Sequence, residues 1–90
     1  MWHITFGELA DYLMHGREIE FRYGGKDYSI TNSHSEWHFC CDTDGMTITL
    51  CPFSDFEILV DKVRNLKIDG ISVEKIFDGH LGGLDVLDVL

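Results

Sequence analysis

The sequence predicts an α+β fold on three observations: apolar residues at helical spacing before Gly16, a period of two from Glu18 to Leu50 punctuated by Gly-Gly and Asp-Gly, and helical spacing again after Pro52. In order these read as a helix, a four-stranded antiparallel meander, a second helix, and a short C-terminal helix followed by a tail.

Thr5 followed three residues later by Glu8 is a capping box, with Ile4 and Leu9 spaced as a hydrophobic staple and Gly16 as the stop, so the first helix is expected over about 6–15. Phe6, Leu9, Ala10, Leu13 and Met14 form its apolar stripe. Ile19, Phe21 and Tyr23 then alternate with Glu18, Glu20 and Arg22 up to Gly24-Gly25, and Tyr28 and Ile30 alternate with Asp27 and Ser29 beyond it. A two-residue Gly-Gly turn pairs Phe21 with Tyr28 and Ile19 with Ile30, which collects the large apolar residues on one face.

The same device at Asp44-Gly45 pairs Cys41 with Ile48 and Phe39 with Leu50, with Trp37 extending the apolar face. It also sets His38 opposite Cys51 on the outward face. Ser54 and Glu57 have the spacing of a second capping box, stapled by Phe53 and Ile58, and Phe56, Leu59, Val60 and Val63 give the second helix its stripe. Leu66 and Ile68 read as a short extended piece, Asp69-Gly70 as a turn, and Ser72 as the cap of a brief helix ending near Phe77. Residues 1–83 are expected to form one domain. Gly79, Gly82 and Gly83 loosen the chain before residues 84–90, an apolar tail that is expected either to cover a helix or a sheet edge of its own domain or to dock on a partner as a strand or helix.

Composition bounds the function. At 44% hydrophobic and 26% charged the chain is apolar enough to fold, and a domain of 90 residues buries only about 60% of the surface of its unfolded chain. Sixteen acidic against seven basic side chains give a net charge of −9, which disfavours direct contact with nucleic acid or anionic membranes and favours basic protein surfaces. Three cysteines in no spaced framework argue against a disulfide scaffold and for a reducing compartment, the cytoplasm. No signal-peptide pattern and no apolar run of membrane-spanning length occurs.

No P-loop, dinucleotide fingerprint, H-E-x-x-H or G-x-S-x-G pattern is present, so neither an enzymatic activity nor a cofactor is expected. His38, Cys40 and Cys51 would be three soft ligands in reach of one another in the expected register. Adjacent Cys40 and Cys41 nevertheless point to opposite faces, and paired ligands of the C-x2-C kind are missing. Reading Cys51 and His38 as nucleophile and base lacks an orienting third group, since Asp42 falls near the turn. His3, His15, His34 and His80 share no face that spacing identifies.

The charge pattern is more telling. Between Lys26 and Lys62 there is no lysine or arginine, while Asp27, Glu36, Asp42, Asp44, Asp55, Glu57 and Asp61 all lie in that stretch. Glu36, Asp42, Asp44, Asp55, Glu57 and Asp61 are therefore the expected partner-binding residues, an acidic side suited to a basic groove in which carboxylates stand in for phosphates.

The run Gly16-Arg17-Glu18-Ile19-Glu20-Phe21 with Tyr23, Gly25 and Tyr28, and Ile68-Asp69-Gly70 leading into Glu74, Ile76, Phe77 and Asp78, resembles small proteins of Gram-positive bacteria, their phages and mobile elements. That resemblance implies a setting in which small acidic proteins serve as inhibitors, anti-CRISPR proteins among them. It would place this protein in the host cytoplasm, with a basic host defence protein such as a CRISPR effector as partner. The alternative is an immunity or antitoxin-type partner, or a homodimer, associating through apolar surface from the tail.

Overall fold

A five-stranded antiparallel sheet, a two-stranded ribbon and three helices make up the computed structural model, which describes residues 3–79 and 83–90; His80 and Gly82 lie outside them. The order along the chain is α1 (Phe6–Met14), β1 (Ile19–Tyr23), β2 (Lys26–Ser33), β3 (Glu36–Cys41), β4 (Met46–Pro52) and α2 (Phe56–Asn65). There follow the two-residue strands β5 (Lys67–Ile68) and β6 (Ile71–Ser72), α3 (Val73–Asp78) and β7 (Asp85–Val89). The large sheet has the order β4-β3-β2-β1-β7, and β5 pairs with β6 separately.

The first helix begins as its residues dictate. Thr5 Oγ1 accepts from the Glu8 amide at 3.1 Å and Glu8 Oε1 accepts from the Thr5 amide at 3.0 Å, while Ile4 and Leu9 are both buried. Helix α2 departs from expectation. It starts one residue later, with Asp55 at the N-cap making no side-chain hydrogen bond, so the Ser54–Glu57 box does not form. Its staple fails as well, because Ile58 is exposed and Phe53 instead stacks on Trp37 at 5.5 Å and meets Phe56 edge-on. The large flat face of the Trp37 indole, whose Nε1 donates to the Phe53 carbonyl, competes for Phe53 more effectively than one isoleucine. Ser72 caps α3 as expected, accepting from the Lys75 amide.

In the sheet, Ile19 pairs with Ile30 and Phe21 with Tyr28, as the Gly24-Gly25 turn requires; both glycines have positive φ, at 60° and 79°. The second hairpin is corrected. Residues 42–45 form a four-residue loop, so Cys41 lies opposite Met46, Phe39 opposite Ile48 and His38 opposite Thr49. A bulge then makes Leu50 an extra residue and sets Trp37 opposite Cys51, which buries both Leu50 and Cys51. The bulge has a physical reason: with it, two consecutive apolar residues reach the core where strict alternation would leave one outside.

The expected tail is a strand. β7 pairs with β1, setting Val86 opposite Phe21 with Val86 fully buried, and a four-stranded meander becomes a five-stranded sheet. All three helices supply buried side chains to the core on one face of that sheet: Leu9 and Leu13 from α1, Leu59 and Val63 from α2, Val73, Ile76 and Phe77 from α3. Tyr28 stacks between Phe21 and Phe39 at centroid distances of 5.5 and 5.7 Å, and Phe77 meets Phe21 edge-on, pairs worth about 0.5–1.5 kcal/mol each beyond area burial. Among the described residues no helix is long and apolar enough to cross a membrane.

Candidate functional site

With the helices on one face, the other face of the sheet is left open, and strand alternation decides what it displays. Glu20 and Arg22 of β1, Asp27, Ser29 and Thr31 of β2, and His38 and Cys40 of β3 all point away from the core. The register of β7 adds Asp88 directly opposite Glu20 and Asp85 directly opposite Arg22. Asp85 and Asp88 are three residues apart, so an unbroken strand would put them on opposite faces. The bulge at Leu87 returns both to the open face.

Two rows result. One runs Asp88, Glu20, Ser29, Cys40 across four strands, and the other runs Asp85, Arg22, Asp27 across three. Asp42, from the loop after β3, joins them: its amide donates to the Asp27 carbonyl at 2.8 Å and its carboxylate accepts from Ser29 Oγ at 3.2 Å. Neighbouring strands are about 4.8 Å apart, so Asp85, Asp88, Glu20, Asp27 and Asp42 share one surface with Arg22 as the only cation on these rows. Arg22 is already committed. It grips Asp27 through Nε at 2.6 Å and a second nitrogen at 3.3 Å, which raises its own pKa and lowers that of the Asp27 carboxyl.

The six acidic residues expected from the charge pattern fall in three places. Glu36 opens β3 opposite Pro52, and Asp55 follows β4 at that same end of the sheet. Asp42 and Asp44 lie at the far end, about 20 Å from Glu36 at 3.3 Å per residue, and Asp44 pairs with Lys26 at 2.7 Å, which lowers its pKa. Glu57 and Asp61 lie on α2 beside Met14, Val60 and Arg64, around a hollow of about 280 Å³ between α1 and α2. Of the six, Asp42 joins the acidic rows. Asp85 and Asp88 carry no local signal of their side, because a Leu-Asp-Val-Leu-Asp-Val run alternates imperfectly and only pairing with a strand more than 60 residues away reveals its face.

The soft-ligand cluster does not assemble. His38 faces outward with Nδ1 3.3 Å from Thr49 Oγ1, while Cys51 lies buried on the opposite side of the sheet with its thiol 3.8 Å from the Asp55 carbonyl. Burial pushes the Cys51 thiol pKa up, with Asp55 adding to the effect and Lys62 opposing it, so it is held in its unreactive protonated form. All three cysteines are free thiols, and among the described residues no group of three or more His, Cys, Asp or Glu is arranged to hold a metal ion. A shallow hollow of about 440 Å³ on the open face includes His34, Glu36, His38 and Cys40 in its lining, and is continuous in chemistry with the polar rows beside it.

The fold and this surface together define a small acidic α+β protein with one uncovered sheet face. Comparison of the chain with protein-family models, with curated proteins and with solved structures finds no match.

Proposed function

We propose that this protein is a non-enzymatic binding protein whose open, acidic sheet face engages a basic surface on a protein partner. The observation that carries the reading is the apposition of Asp88 and Glu20 on a face that no described element covers. Like charges directly opposite in a sheet oppose folding, and here they sit beside Asp85, Asp27 and Asp42 with a guanidinium that is already engaged. A basic groove would relieve that repulsion on binding and gain long-range steering from the net charge of −9.

The partner class follows from that chemistry together with the resemblance of Gly16–Phe21 and Ile68–Asp78 to phage and mobile-element proteins: a nucleic-acid-handling host defence protein, such as a CRISPR effector, whose channel the acidic face would occupy. The test is competition. A host protein captured on the immobilised chain is challenged with its own nucleic acid, and displacement in both directions is the expected result. Simultaneous binding of nucleic acid and this protein would set the inhibitor reading aside.

A further inference from the structure

The two edges of the large sheet are treated differently, and the difference points to a second interaction surface that does not rest on the function above. β7, at one edge, carries Asp85 and Asp88 and a bulge at Leu87, devices that discourage pairing with another strand. β4, at the other edge, has no strand beyond it among the described residues, and from Gly45 to Ser54 the chain contains no charged residue. Its protection is confined to one end. The bulge at Leu50, Pro52, and the Lys62 ammonium, which donates to the Leu50 carbonyl at 2.5 Å, all guard the C-terminal half.

The N-terminal half is open and apolar. Met46 and Ile48 are 41% and 42% exposed although their side chains share the face that carries buried Phe39 and Cys41. On α2, Ile58 is 48% exposed and lies one turn before Lys62, hence on the flank that Lys62 shows to face β4. We propose that β4 is a self-association edge, at which two copies of this chain pair antiparallel about Ile48 and join their five-stranded sheets into one.

Charge selects a second copy over another occupant. A chain of net charge −9 repels itself over most of its surface, and the open half of β4 is an uncharged strand edge at which two copies can meet without apposing carboxylates. The nearest carboxylate, Asp44, is already neutralised by Lys26. Antiparallel pairing centred on Ile48 sets Ile48 against Ile48 and Thr47 against Thr49 of the other copy, so apolar meets apolar inside and threonine meets threonine outside, short of the guarded residues from Leu50 onward. A basic partner would be drawn to the acidic face instead.

Sedimentation equilibrium of the full chain over a range of concentrations tests this, alongside Ile48→Lys and, at the other edge, Leu90→Lys. Both positions are exposed, so both variants should retain the wild-type far-UV spectrum and urea midpoint. The expected result is a monomer–dimer equilibrium whose dissociation constant rises about tenfold or more in Ile48→Lys and is unchanged in Leu90→Lys, with slowed exchange of β4 amides in the dimer. A chain that stays monomeric at every concentration overturns the proposal and leaves the edge to a foreign strand; a dimer that survives Ile48→Lys, or that only Leu90→Lys dissociates, overturns it equally.

Discussion

Asp88 of β7 lies directly opposite Glu20 of β1, on the face of the sheet away from all three helices. Two carboxylates in that relation have Cβ atoms about 5 Å apart and repel each other in the folded chain far more than in the unfolded one. Removing one of them should therefore stabilise. Glu20→Gln and Asp88→Asn are each expected to raise unfolding free energy by about 0.2–1 kcal/mol, read from urea denaturation at low salt. The gain should shrink as salt screens the wild-type pair, since both groups are solvent-accessible.

The C-terminal strand should behave as core. Val86 is fully buried opposite Phe21, so Val86→Ala is expected to cost about 1–3 kcal/mol, and deletion of residues 84–90 should abolish cooperative thermal unfolding. A truncated chain that unfolds at the wild-type temperature would contradict this assignment and restore the tail as an independent docking segment.

The two helix starts predict opposite responses to the same substitution. Thr5→Ala removes the Oγ1 that accepts from the Glu8 amide, the side-chain half of a formed capping box, and should cost about 1 kcal/mol, whereas Ser54→Ala removes no cap and should be close to neutral. Urea midpoints of the two variants check this.

Acid should weaken the fold through two exposed pairs. Asp27 and Asp44 are held below their ordinary 3.8 by hydrogen bonds from Arg22 and Lys26. A carboxyl whose folded pKa lies below its unfolded value stabilises at pH above the unfolded value, and that contribution is lost as pH falls through the folded one. Stability should decline as pH drops below about 4, and Asp44→Asn should remove part of that dependence. An unchanged pH profile in Asp44→Asn would show the Lys26 pair to be without effect.

The thiols should rank by burial. Cys40 is half-buried on the open face, whereas Cys41 and Cys51 are in the core and burial raises the Cys51 pKa. One thiol is expected to react with a disulfide reagent in the native protein and three after denaturation, with Cys40→Ser abolishing the fast phase.

Much of the fold was legible because the signals were local. Thr5 and Glu8 are three residues apart, Gly24-Gly25 permits one tight turn, and the Phe21–Tyr28 register is the one that keeps large apolar residues together. The β3–β4 register differs by two residues from the expected one because Asp44-Gly45 serves equally in a two-residue or a four-residue loop, and a shift of two preserves the faces. The bulge at Leu50, which separates His38 from Cys51, has no sequence signature apart from two consecutive buried residues. The acidic surface was half legible. Alternation alone places Glu20 and Asp27 on the outward face, but Asp85 and Asp88 reach it only through a distant strand pairing and the bulge at Leu87. Charge counted along the chain instead pointed to Asp55, Glu57 and Asp61, which the fold carries to other surfaces.

The acidic face is tested most directly by comparing two charge reversals, Glu20→Lys with Asp88→Lys on the open face and Glu57→Lys with Asp61→Lys on α2, for binding to a captured host partner as a function of salt. Both doubles change net charge equally. The acidic-face account predicts that the first loses affinity and most of its salt dependence while the second keeps both; equal losses in the two would mean that net charge, and not this face, governs binding.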